Sequence, residues 1–505
     1  MIKRLLTLLL ILPLLAYCGN KENPNPEPDP KEQDDPVDPP APDPDPEDPD
    51  LYADAAPELK SGDIVQATNP IVEKYLNEVN YQDHETGRKA KVMDYYGGFN
   101  GKAYNENGEE DPAGVVLNWE TAAYYKHPGI WPDGDKPMKY SIRWKQSDLD
   151  DEVSALNLHM EDKLGWKGDL EIARGSVYVE ITNLVPNDDY TYKVTTASGK
   201  VVAEGTFKTK ATSTLHQCFF TGATKKAEAR GYQAAGARNC RDLGGWPTMD
   251  GKTVKYRKIY RGGRLNEKWE PYPLNAQGKK EVLFEGIAAE IDLRGSDDII
   301  KTPAVEGLEH CHPVIEEGGK VMLGVTKPSN YNCAKWLKYD VGREDMKNMS
   351  KDDLKKYEPT AQELEDFQIA YRGKMKELWD FILTNVRNNK PIHFHCSLGR
   401  DRTGTLDIIL LGVLGVREGI IAKEYDVTYF APVGYCVSSS DKESNPGPIF
   451  QNTCLQWVYS DVVPYFWDMA AKADGTFAGG VEKYLKDVVG VSQADINEFR
   501  SLMLQ

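Results

Sequence analysis

The chain has 505 residues, with 61 Lys and Arg against 79 Asp and Glu, a net charge of −18 and a mean hydropathy of −0.57. That length suggests two or three folded units. The acidic balance argues against nucleic acid as the natural partner, because phosphate backbones are bound by excess cations.

Lys3 and Arg4 precede a nearly all-apolar run from Leu5 to Ala16, which ends at Leu15-Ala16-Tyr17-Cys18. Residues 1–18 therefore read as a secretory signal, too short for a stable membrane span. Its end resembles a lipoprotein processing site, at which Cys18 is acylated and becomes the mature N-terminus, although Tyr17 stands where a small residue is usual. In residues 19–50, 11 of 32 are Pro, and 12 Asp or Glu face 2 Lys. Such a stretch cannot bury a core, so it reads as a disordered tether. The predicted product is exported and lipid-anchored in a bacterial cell envelope, at the outer membrane.

Residues 51–111 carry a helix-like stretch, Asn69-Pro70-Ile71-Val72-Glu73-Lys74-Tyr75-Leu76, but no assignable fold; packing onto the following unit is the expectation. Residues 112–211 read as short alternating strands: Val115–Trp119, Tyr140–Trp144, Val177–Ile181 and Tyr190–Val194. Their spacing predicts an all-β, immunoglobulin-like sandwich with Trp119 and Trp144 in its core. Leu184-Val185-Pro186 followed by Tyr190 resembles the tyrosine corner of fibronectin type III domains, and Gly205-Thr206-Phe207-Lys208-Thr209 resembles their last strand.

Residues 212–505 hold the chemistry. Thr360-Ala361-Gln362-Glu363 predicts a capping box that opens a helix directing Phe367, Met375, Leu378, Trp379 and Ile382 inward. Before it, residues 316–359 form an insertion with Lys320, Lys327, Lys335, Lys338, Tyr331 and Trp336, which reads equally as an active-site lid or an exposed decoration. Pro391-Ile392-His393-Phe394 predicts a buried strand, and Thr405–Leu411 a helix. Between them lies His395-Cys396-Ser397-Leu398-Gly399-Arg400-Asp401-Arg402-Thr403-Gly404.

A strand-to-helix turn of this kind offers consecutive backbone N–H groups and a positive dipole end to an anion. The same field favours a thiolate at Cys396. Arg402 presents a planar fork to two phosphoryl oxygens, while the amides of Ser397, Leu398, Gly399, Arg400 and Thr403 line the cup. Gly399 permits close backbone approach, Gly404 tight packing of the helix on the sheet, and the Thr403 hydroxyl can hydrogen-bond the sulfur. A leaving oxygen needs a proton, and Asp401 is the nearest acid in sequence. Arg400 adds a second cation at the rim, suited to a substrate bearing more than one phosphate.

This string resembles the His-Cys-x-x-Gly-Lys-Asp-Arg-Thr-Gly signature of the bacterial tyrosine-phosphatase-like, cysteine-dependent family, which acts on phosphotyrosine, other phosphoamino acids and phosphoinositides. Asn239-Cys240-Arg241-Asp242-Leu243-Gly244-Gly245, Tyr260–Leu265, Ile291-Asp292-Leu293-Arg294 and the run from Gly480 to Arg500 are similar to other parts of that family, in its order. Arg400 replaces its usual lysine and Cys240 its phenylalanine. The resemblance implies an α/β cysteine-dependent phosphatase fold, a central mixed sheet between helices, with no cofactor. It implies Cys396 as nucleophile, Arg402 as phosphate clamp and Asp401 as acid, with His395, Asp242 and Asp292 in support and the last two as alternative acids.

Several other readings stand beside this one. Trp131-Pro132-Asp133-Gly134 spells the acid loop of eukaryotic-type tyrosine phosphatases but is a plain turn sequence. His310/His312 and His393/His395 each place two imidazoles on one strand face, from which neighbouring strands would assemble a zinc site, although no metal is expected. Cys218, Cys240, Cys311, Cys333, Cys436 and Cys454 allow disulfides whose pairing the sequence does not fix. The substrate is a phosphorylated protein, a phosphoinositide or an inositol phosphate; the competing class is a surface-binding lipoprotein whose phosphatase fold only holds phosphate.

Overall fold

Alternation of buried with more exposed residues builds the strands Leu156–Asp162, Lys167–Ile172 and Asp189–Thr196 of the first half. The computed structural model describes residues 49–85, 88, 91–95, 138–149, 155–210, 213–222, 239–265, 274–294, 302–313, 348–357, 360–396, 399–430 and 462–505. Seven strands precede the second half: β1 (Ile64–Val65), β2 (Tyr140–Arg143), β3 (Leu156–Asp162), β4 (Lys167–Ile172), β5 (Tyr178–Ile181), β6 (Asp189–Thr196) and β7 (Val201–Thr209). Five form a sheet in the order β1-β7-β6-β3-β4, and β2 pairs with β5. Ile142, Trp144, Leu158, Val194 and Phe207 share their core. The β3–β4 hairpin adds to the strands expected from sequence. Val115–Trp119 lies outside the described residues, as do the turn at 131–134, Cys18 and the 19–48 tether. The Tyr190 hydroxyl accepts a hydrogen bond from the Val185 N–H at 2.8 Å, closing the corner that the sequence suggested.

The segment after residue 51 divides between both halves instead of packing onto the strands alone. β1 runs parallel to β7. Helix α1 (Pro70–Glu78), capped by the Asn69 side chain with Pro at its start, buries Val72, Tyr75 and Leu76 in the core of the second half. The Tyr75 ring meets Phe430 edge-on at 5.4 Å, the Tyr81 hydroxyl donates to Asp426, and Arg88 pairs with Glu418. An edge-on ring contact, a hydroxyl-to-carboxylate hydrogen bond and an ion pair therefore hold this segment where its own sequence is too short to build a core.

The second half is a mixed five-stranded sheet, β11-β10-β12-β9-β8, made of β8 (Arg241–Asp242), β9 (Ile259–Gly262), β10 (Ala289–Asp292), β11 (Glu309–Cys311) and β12 (Ile392–His395). All neighbours are parallel except β8 and β9. Its central strands are buried on both faces, as a sheet between helix layers requires. Among the described residues its helices of eight or more residues are α2 (Ala276–Phe284), α3 (Ala361–Arg387), α4 (Asp401–Val413), α5 (Glu418–Asp426), α6 (Val463–Ala470), α7 (Phe477–Tyr484) and α8 (Gln493–Met503). The Thr360/Glu363 capping box opens α3, and Met375, Leu378, Trp379 and Ile382 are buried as expected. Helix α4 is buried from Thr403 to Val413, so it shows no amphipathic period. The two halves meet at Arg257, whose guanidinium lies 4.0 Å over the Trp166 ring, 3.0 Å from Asp162 and against Glu285.

Candidate active site

Strand β12 ends at His395, and α4 begins at Asp401; the turn between them lies at the end of the parallel strands. Ser397 and Leu398 lie outside the described residues. Gly399 has φ +70°, and a Cβ there would press into the Gly262 carbonyl group, so the close approach expected of this glycine is real. A Cβ at Gly404 would strike the Tyr425 ring. That glycine serves packing against α5, not against the sheet.

Cys396 is 3 % exposed. Burial pushes its thiol up, but the Arg402 guanidinium, the Thr403 hydroxyl and the Thr403 N–H outweigh burial and the Asp401 charge, bringing it down to about 7. The buried Thr403 hydroxyl is committed to no hydrogen-bond partner among the described residues, which leaves it available to the sulfur. Arg402 Nη1 donates to the Leu293 carbonyl at 3.2 Å, which ties this arginine to the residue after β10.

The remaining expected residues are found in distinct surroundings. Arg400 is 6 % exposed and turned onto Asp401, with Nε 2.9 Å from Oδ1 and Nη2 2.8 Å from Oδ2. His395 is fully buried, 2.8 Å from Glu290 and 3.0 Å from the Cys396 carbonyl. Burial opposes its charge, yet Asp292 and Glu290 raise its pKa. Asp292 grips Arg294 through both oxygens. Burial acts upward on it too, but His395 and Arg294 hold it at about 2, which suits an anchor more than a proton donor. Asp242 accepts from the backbone N–H groups of Gly244 and Arg257 at 2.8 and 2.5 Å and faces His216 Nδ1 at 3.1 Å. It is a buried turn cap.

Sequence reasoning did not assign the support beneath the loop. The Gly399 carbonyl accepts from Asn239 Nδ2 at 2.9 Å and from Arg261 Nη2 at 2.7 Å. Arg261 Nη1 reaches Asp407 at 2.7 Å and Glu424 at 2.8 Å, and Arg241 pairs with the same Glu424. Burial disfavours charge on both carboxyls. The two guanidiniums nevertheless keep Glu424 ionised, while Glu424 adds to burial in driving Asp407 up toward its neutral form. Two guanidiniums and two carboxyls are thus packed together beneath the turn. Asn239 and both arginines lie in motifs that were noticed; Glu424 carried no signal.

The histidine pairs do not build a zinc site together, because β10 lies between β11 and β12. Among the described residues the metal-type donors that converge are His216, Cys218 and Glu285, all buried.

A buried thiol lowered toward neutrality, an arginine and a threonine on one strand-to-helix turn, and two arginines braced below it define a phosphate-handling enzyme. The model of the tyrosine phosphatase family matches residues 232–505, more than half of the chain, and the protein belongs to that family. A protein of Cupriavidus necator named "Putative tyrosine-protein phosphatase" is 24% identical over 264 residues, covering 51% of this chain and 84% of that one.

Proposed function

We propose that this phosphatase hydrolyses phosphomonoesters through a phosphocysteine at Cys396. The observation that carries the reading is the Cys396 thiol lowered to about 7 by Arg402 and Thr403 at the head of α4. The thiolate attacks phosphorus in line, and the leaving oxygen departs opposite. The turn amides and Arg402 hold the three equatorial oxygens as charge redistributes. Asp401 protonates the leaving oxygen, then takes a proton from the water that cleaves the sulfur–phosphorus bond. No metal takes part in these steps.

The substrates on this reading are phosphotyrosine proteins or phosphoinositides, with inositol phosphates as the alternative. The Arg400 cation beside the turn favours substrates with a second phosphate. The Cys18 anchor, the Pro- and acid-rich 19–50 tether and a fibronectin-like module of residues 112–211 would hold the enzyme at the outer membrane of a bacterial cell envelope.

Turnover of an aryl phosphate, a phosphotyrosine peptide and a phosphoinositide by the full chain, with EDTA present, tests the reading. Activity should persist in EDTA and disappear in Cys396→Ser. Activity that EDTA removes and Cys396→Ser retains would reject the thiolate. Phosphate binding without turnover of any of the three would favour the surface-binding alternative.

A further inference from the structure

Cys218 and Cys240 face each other across two neighbouring extended segments. Gln217 bridges Arg241 in antiparallel register, the Cys218 N–H donates to the Cys240 carbonyl at 3.0 Å, and the Asp242 N–H to the His216 carbonyl at 2.9 Å. One step out from the Gln217–Arg241 pair, the two cysteines are therefore directly opposed and project to the same face. Opposed residues in an antiparallel pair have Cα atoms roughly 4.5–5.5 Å apart, inside the roughly 4.4–6.8 Å that a disulfide spans. The two residues are 1 % and 2 % exposed, shielded together in one small core. Both are thiols in this structure.

We propose that Cys218 and Cys240 are a disulfide-forming pair, whose oxidised state joins residues 213–222 to the segment leading into β8, whose Asn239 braces the turn after β12. The residues flanking Cys240 give the bond its importance. Asn239 holds the Gly399 carbonyl, and Arg241 holds Glu424 and Asn239. Cys240 also lies against Gly262, the residue that Gly399 packs upon: a Cβ on Gly262 would come 3.2 Å from Cys240 Cα.

In the folded chain burial pushes both thiols up; contact with Cys240 drives Cys218 further, while at Cys240 the Cys218 thiol and His393 prevail, drawing it down. Fully buried on β12, His393 has no hydrogen-bond partner for either ring nitrogen among the described residues. In the folding chain one of the two cysteines, as its thiolate, opens the sulfur–sulfur bond of a small disulfide donor, expelling one donor thiolate and forming a mixed disulfide. The other cysteine then loses its proton and attacks the protein-side sulfur of that mixed disulfide, expelling the second donor thiolate. Two protein thiols lose two electrons and two protons, and the donor is reduced to two thiols. Because the finished pair is buried, the exchange belongs to folding, before residues 213–222 close over Cys240.

A metal ion is the rival occupant, but the donors are engaged. His216 Nε2 already bonds the Asn183 carbonyl at 2.8 Å, and Glu285 holds Arg257 and, at 2.9 Å, the Tyr260 hydroxyl.

The test is to produce the full chain by export from a bacterial host, purify it without reductant, cap free thiols in denaturant and map the digest by mass spectrometry. The expected result is a peptide pair joined through Cys218 and Cys240, with Cys396 capped as a free thiol. Reduction should lower Tm by about 5–15 °C, and Cys218→Ser should do the same while abolishing the joined pair. Capped Cys218 and Cys240, either one joined to another cysteine, or zinc bound at one per chain would overturn the proposal. The wild-type map decides even where the variant fails to fold.

Discussion

Arg400 and Asp401 are clasped side by side through two parallel N–H···O bonds of 2.9 and 2.8 Å. Both oxygens of the proposed acid are thereby acceptors, and one must leave Arg400 before Asp401 can hand over a proton. A second phosphate on the substrate offers Arg400 another anion and so releases its neighbour. Arg400→Ala should change kcat/KM for a single aryl phosphate by no more than about threefold. On a substrate with two adjacent phosphates the loss should be roughly 10–100-fold, the worth of a charge-assisted pair. Equal losses on both would show that Arg400 does not read the second phosphate.

The thiol at about 7 sets a pH limit. Below that value Cys396 is protonated, so kcat/KM and the rate of iodoacetamide alkylation should both fall tenfold per pH unit on the acid side. Thr403→Ala removes a hydrogen bond to the thiolate and should shift this limb upward. A pH-independent alkylation rate between 5 and 8 would contradict the assignment, on an ordinary scale for such titrations of about 1 pH unit per tenfold change.

Gly399 has φ +70° and no room for a Cβ against Gly262. Gly399→Ala should cost about 1–3 kcal/mol in unfolding free energy and lower kcat more than tenfold, because the turn amides move with the backbone. Denaturant melts and initial rates would measure both; an unchanged kcat would show that the turn tolerates displacement.

Glu424 balances Arg241 and Arg261 in a layer without water access. Glu424→Gln leaves two guanidiniums facing a carboxyl that burial favours in its neutral form. The expected cost is about 3–5 kcal/mol, read from urea unfolding. With Asp407 still held above its unfolded pKa by burial, stability should fall as pH rises through the folded pKa; a variant as stable as wild type would mean the cluster is solvated.

The turn from His395 to Gly404 was legible because its chemistry is contiguous: one strand end, one turn and one helix start carry the thiol, the clamp and the nearest acid. The capping box at Thr360 was readable for the same local reason. Glu424 was not, since a glutamate in a helix becomes functional only when tertiary packing sets it between Arg241 and Arg261. Strand order was equally hidden, so the two histidine pairs looked adjacent although β10 separates their strands. The division of the segment after residue 51 depends on Asp426 and Glu418, more than 300 positions away.

The most direct test is a rapid acid quench of the full chain with an aryl phosphate, followed by mapping of the Cys396 peptide. One phosphoryl group on Cys396, appearing with a burst of phenol and absent in Cys396→Ser, is the predicted result. Steady turnover with an unmodified Cys396 at every quench time, retained in Cys396→Ser, would contradict it.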